Sequence, residues 1–293
     1  MQEKKIKIWY TGKMKNKKNI QILVISFLIL VIAVLIGVFV SQNDSKANKK
    51  ASNSSSSASS SSTSAASADP TSIDGKVTEQ TALDALTFPQ LSADVAEDEA
   101  EVEIDTSAGN ITVKLFPKLA PLAVENFLSL AKDQYYNNNE FFRVIKDFMI
   151  QTGDPTNTGT GSKSVVNDNK SFATETSNQL YNIRGALALA NTGSPDSSAS
   201  QFFIVQNTQD ASSQLPANFL YPAQIKEAYK SGGYPNLDGS YTVFGQVVSG
   251  MDVVDKIASG EVTANDSGEQ SKPKTAYSIT AVKVLKDWDF TAK

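Results

Sequence analysis

The chain has 293 residues with a formal net charge of -4, from 27 Lys and Arg against 31 Asp and Glu, and it contains neither cysteine nor histidine. Without an imidazole or a thiol it cannot build a Ser-His-Asp triad, a Cys-His dyad, a disulfide frame or the usual zinc sites. Its mild acidity argues against a dedicated nucleic-acid binder.

Residues 22–40 are strongly apolar, with Ser26 the one hydroxyl among them. As a helix they would span roughly 30 Å, the thickness of a bilayer core, so residues 20–40 are expected to form a transmembrane anchor. Lys4, Lys5, Lys7, Lys13, Lys15, Lys17 and Lys18 precede it, which predicts a cytoplasmic segment over 1–19 and the bulk of the chain outside. A cleaved signal peptide is the rival reading. Its apolar region runs to only about 7–15 residues and ends at a small-residue site, which positions 37–41 do not offer. Residues 41–96 are expected to be a disordered linker. Positions 51–68 are almost wholly Ser, Ala and Thr, too poor in apolar surface to offset the entropy of ordering. A weak helical pattern over 77–86 falls within it.

The globular domain is expected over 97–293, and the acidic run at 97–103 reads as a solvated face. Residues 101–105 and 111–116 alternate apolar and polar about a turn at 106–110, the pattern of a β-hairpin. Pro121 suits the first position of a helix that Val124, Phe127, Leu128 and Ala131 mark as amphipathic, ending near Asp133. Residues 141–152 read as a strand pair that carries one arginine and one glutamine in a greasy run. An unpaired guanidinium is costly to desolvate, so Arg143 is either a surface residue or the polar centre of an apolar pocket. Gly153, Gly159 and Gly161 punctuate a polar loop that lacks the Gly-Lys-Ser/Thr ending of a phosphate-binding loop. Residues 185–190, 201–205 and 242–248 read as short buried strands. Ser249 is expected to cap a helix over 250–258, with Asp252 at the capping-box position and Gly260 as the stop. An alternating strand follows at 276–285. Many short strands with two helices, and no repeating βαβ order, predict a mainly β, antiparallel barrel.

Three segments in this order, residues 141–161, 185–205 and 237–246, closely resemble the cyclophilin family of peptidyl-prolyl isomerases, and the likeness covers about 101–285. The resemblance implies a closed eight-stranded β-barrel capped by two helices, with the active site in a groove on its outer face. It implies that Arg143 is the catalytic arginine and that Gln151 and Gln201 orient the arginine and the peptide. Phe148, Met149 and Phe203 match the walls of a proline pocket, Leu237 its rim, and Ala190 and Asn191 the backbone that hydrogen-bonds the substrate. Asn236 stands where the best-known members have a tryptophan, and Tyr241 stands at their pocket histidine, which leaves cyclosporin binding open. No cofactor or metal is implied, and the expected partners are proline-containing unfolded or exported polypeptides. Residues 206–236 form an insertion, with a short helix expected over 222–230, that is expected to wall one side of the groove. The rival function is a proline-peptide binding module or holdase.

Such a site suits the reaction. Twisting the prolyl amide costs roughly 18–20 kcal/mol in resonance and leaves a lone pair on nitrogen. A donor aimed at that lone pair binds the twisted state more tightly than either planar isomer. Arginine stays charged and carries several rigid donors, so neither a nucleophile nor a proton shuttle is needed.

Overall fold

The computed structural model describes residues 70–194 and 196–291. They belong to one compact unit, Ser67–Lys293. The expected anchor over 20–40 lies outside the described residues, among which no helix is long and apolar enough to cross a membrane.

Ten strands are present among the described residues: β1 (Ala100–Thr106), β2 (Gly109–Leu115), β3 (Arg143–Ile145), β4 (Met149–Thr152), β5 (Ala186–Leu189), β6 (Phe202–Val205), β7 (Val243–Ser249), β8 (Val262–Ala264), β9 (Gln270–Pro273) and β10 (Ile279–Lys286). Eight form one antiparallel sheet in the order β10-β1-β2-β7-β5-β6-β4-β3, while β8 and β9 make a separate hairpin. The closed barrel is corrected to a half-barrel. The ladder stops at β3 and β10, and their flanks are joined by an isolated bridge from Glu140 to Ser278 and by the Asn138 N–H, which donates to the Ile279 carbonyl at 2.8 Å. Asn138 at φ 65° turns the chain just before that bridge. β3 is three residues long and pairs with β4 instead.

Period-2 alternation divides the core. Val102 and Ile104 of β1 point inward, as do Ile150, Leu187, Leu189, Phe202, Ile204 and Phe244. They pack on Val124, Phe127, Leu128 and Ala131 of a helix over Pro121–Lys132 and on Val253, Val254 and Ile257 of a helix over Met251–Ala258. The other face of β4, β5, β6 and β7 is apolar too. It gathers Met149, Ala186, Ala188, Phe203, Val205 and Val243 into a second cluster with Leu237. A sheet apolar on both faces needs a cover on each side, and the groove lies on this second one.

The helix over Pro121–Lys132 begins at Pro121 as expected, but Ala120 offers it no side-chain cap. Glu175 supplies one from a distant loop, accepting from the Leu122 and Ala123 N–H groups at 3.1 and 2.9 Å. The expected cap at Ser249 is corrected. β7 runs through Ser249, and left-handed Gly250 at φ 90° occupies the N-cap of Met251–Ala258. A side chain at Gly250 would meet the Asn110 carbonyl at 2.3 Å, so the close strand-to-helix turn requires glycine.

The linker was expected to run to Ala96, but the described residues from Pro70 onward are part of the packed unit. A short helix over Gln80–Asp84 and a 3-10 turn over Pro89–Leu91 bury Leu83, Phe88 and Gln90. Gln90 donates to the Tyr181 carbonyl at 2.9 Å and accepts the Tyr181 N–H at 2.7 Å. The insertion meets this arm in a third apolar cluster of Ile73, Phe88, Tyr181, Tyr221, Ile225 and Tyr229. Its helix spans Ala223–Ala228 with Pro222 at the N-cap, and Gly232 at φ 117° follows the next turn. The solvated reading of 97–103 fails at Glu99. Glu99 is 4% exposed and pairs at 3.2 Å with Lys114, itself 1% exposed, which also donates to the Asp94 carbonyl.

Candidate active site

The β3–β4 hairpin sets Arg143 directly opposite Gln151. Residues opposite one another across two strands share a face, and the Arg143 Nη1 donates to Gln151 Oε1 at 3.2 Å. Gln151 Nε2 in turn donates to Gln201 Oε1 at 3.0 Å, and Gln201 Nε2 to the Gly161 carbonyl at 2.7 Å. The relay runs in one direction, so each amide has its acceptor facing the arginine side and its donor facing the loop. That loop, residues 154–161, is wrapped around the buried Asp154 carboxylate, which accepts from the N–H groups of Thr156, Thr158, Gly159 and Gly161.

Beside the guanidinium lie the Met149 sulfur, 3.9 Å from Nη1, and the Phe148 ring, whose centroid is 6.0 Å from Cζ. Cations at that distance over an aromatic face are attracted to it. Phe203 packs edge-on against Tyr241 with centroids 5.7 Å apart. Tyr241 is held above the usual phenol range by burial, with the Arg143 charge opposing. Arg143, Gln151, Gln201, Phe148, Met149, Phe203 and Tyr241 thus share one face, and Leu237 and Ala190 belong to the same apolar cluster. The Asn191 side chain donates to the Ser240 carbonyl at 2.9 Å. Ala190 N–H is taken by the Gln201 carbonyl.

The insertion reaches this groove. The Tyr234 ring lies against Phe148 with centroids 4.4 Å apart. Leu237 is followed by Asp238, whose buried carboxylate accepts from Tyr229 Oη at 2.6 Å, Tyr221 Oη at 3.1 Å and the Asn182 N–H at 2.8 Å. Burial raises the Asp238 carboxyl to about 6 against the opposing effect of these hydrogen bonds.

Comparison with known proteins shows the family. The family "Cyclophilin type peptidyl-prolyl cis-trans isomerase/CLD" matches residues 101–284. The chain belongs to the cyclophilin-type peptidyl-prolyl cis-trans isomerases. Relatives carrying the name peptidyl-prolyl cis-trans isomerase include one from Staphylococcus saprophyticus, 41% identical over 201 residues, covering 68% of this chain and 98% of that protein. One from Staphylococcus aureus is 43% identical over 201 residues, covering 67% and 98%. A crystal structure of a cyclophilin-type isomerase from Cryptosporidium parvum has a TM-score of 0.51 at 28% identity, covering 65% of this chain and 99% of that one. The same protein crystallised in the presence of the dipeptide Ala-Pro has a TM-score of 0.50 at 28% identity, covering 64% and 99%.

Sequence reasoning did not single out Glu269, which makes shorter hydrogen bonds to the arginine of this cyclophilin than Gln151 does. Glu269 lies in the turn of the β8–β9 hairpin, just before β9, and grips Arg143 through Nε at 2.7 Å and Nη2 at 2.8 Å. The Arg143 hydrogen bond holds its carboxyl below the usual range, against partial burial. One more carboxylate after a Ser-Gly turn carries no signal of its own. Tyr234 and Asp238 were also missed as site-forming residues, because their partners come from distant segments.

Proposed function

We propose that this cyclophilin isomerises prolyl bonds by donating from Arg143 to the nitrogen of the twisted amide. The proline ring would rest against Phe148, Met149 and Phe203. We further propose that it acts outside the cytoplasmic membrane on proline-containing exported chains, anchored through residues 20–40. The observation that carries the mechanism is the donor count on Arg143. Glu269 accepts from Nε and Nη2 and Gln151 from Nη1. A guanidinium has five N–H groups, so one N–H on Nη1 and one on Nη2 remain, and among the described residues their hydrogen-bond partner is the weakly accepting Met149 sulfur, 3.9 Å from Nη1. The apolar wall excludes water and strengthens the contact made there.

A charge-assisted hydrogen bond contributes roughly 1.5–3 kcal/mol, and about 1.4 kcal/mol is tenfold in rate. Arg143→Ala is therefore expected to lower kcat/KM by roughly ten- to a hundredfold in a proline-peptide isomerisation assay, with turnover suffering more than ground-state binding. Arg143→Lys should not rescue it, because an ammonium lacks the planar fork. A folded Arg143→Ala protein with wild-type rates would overturn the mechanism.

A further inference from the structure

We infer that Glu269 is a positioning residue for the isomerase reaction, holding the side edge of Arg143 so that the terminal edge of its guanidinium is presented to the substrate. The inference rests on the reading of Arg143 as the donor. The ion pair is two-point, at 2.7 and 2.8 Å, and three-quarters sheltered, with the side chains 23% and 28% exposed. A two-point carboxylate–guanidinium contact fixes the plane of the guanidinium as well as its place. Gln151 holds Nη1 from β4, so the arginine is held from two separate elements, β4 and the β8–β9 hairpin.

The hairpin is itself built to aim the carboxylate. Asn265 Oδ1 accepts the Glu269 N–H at 3.0 Å and the Ser267 N–H at 3.0 Å, and the Asn265 N–H donates to the Glu269 carbonyl at 2.8 Å. Gly268 at φ 87° makes the turn between them. The Asn265 side chain also donates to Ser271 Oγ at 3.1 Å, and Ser271 is fully buried. Glu269 therefore leaves the backbone from a fixed point, and its contact with Arg143 spans 126 residues of sequence. A long arginine side chain left free would have to be ordered each time the amide twists, whereas a held one is already in place when the lone pair develops. Neither bond to Glu269 uses the remaining N–H groups on Nη1 and Nη2, so the carboxylate orients the donor without taking its place.

The test uses the full chain with Glu269→Gln, which keeps the shape, and Glu269→Ala, which opens space for an added carboxylate. Both variants are expected to lose about tenfold in kcat with KM within twofold of wild type, and acetate is expected to restore part of the activity of Glu269→Ala. Three results would overturn the inference: unchanged or raised kcat, a loss confined to KM, or a kcat loss in Glu269→Ala that acetate does not relieve. Near-UV circular dichroism of Glu269→Gln separates a folding defect from a positioning one. Arg143→Ala measured alongside tells the two readings apart. If it retains wild-type rates the donor reading fails, and if it alone is impaired only the role of Glu269 fails.

Discussion

At the scale of single residues, the groove is supported by a carboxylate that folding places in a poor environment for its charge. Asp238 is 3% exposed and its carboxyl is raised to about 6, chiefly by burial. A raised folded-state value means that the folded chain binds a proton that the unfolded chain, with an ordinary value of 3.8, has already released. The resulting stabilisation is fully present below pH 4 and is lost as pH rises through 6. Between pH 4.5 and 7 that loss is about 2 kcal/mol. Asp238→Asn removes the titration, so urea unfolding should show the variant gaining about that much relative to wild type across this window. Parallel pH curves for the two proteins would rule the effect out. Glu269 works in the other direction, since its value is lowered: its stabilisation holds above the ordinary glutamate range and is lost only as pH falls below it. Arg143 and Gln151 stood out in sequence as polar residues in a largely apolar run, which left Arg143 open between surface and pocket, and the family resemblance implied their roles. Glu269 was not, because an ion pair across 126 residues leaves no local pattern.

At the scale of elements, the arm before β1 and the insertion after β6 depend on each other. Ile73, Leu83 and Phe88 from the arm are buried, and Ile73 and Phe88 share a cluster with Tyr221, Ile225 and Tyr229 of the insertion. Fully burying one such apolar side chain contributes about 1.5–3 kcal/mol. A chain starting at residue 97 should therefore be several kcal/mol less stable than one starting at 68. Its Tm should be lower by roughly 10 °C or more. Equal melting temperatures in calorimetry would show that the arm contributes nothing. The hairpin at 101–116 and the helix at Pro121 were readable because their periodicity is local and strong. The docking of the arm was not, because the weak pattern over 77–86 becomes a buried face only when the insertion is there to cover it.

At the scale of the whole molecule, the lysine-rich segment, the apolar stretch over 22–40 and the Ser-rich run over 51–68 carry our reading of where this isomerase works. Protease added to intact cells is expected to cut within the Ser-rich run and release a compact fragment that still isomerises prolyl peptides. A domain protected until the membrane is broken would reverse the proposed orientation. The compact unit begins at Ser67, so cleavage before that point leaves the packed arm attached to the domain.

The sequence by itself determined the mainly β class and the two helices, through short-range periodicity, and it pointed to the family through the likeness of three segments. That resemblance, and not periodicity, implied which residues line the groove. Only the tertiary structure decided that the sheet stops at β3 and β10 as a half-barrel, that Glu175 caps a helix from 53 residues away, that Glu99 is buried on Lys114, and that Glu269 grips the arginine. Each of these depends on groups far apart in the chain meeting in space. Hydrogen bonds and ion pairs depend on distance in space, not separation in sequence, so local patterns could not reveal them.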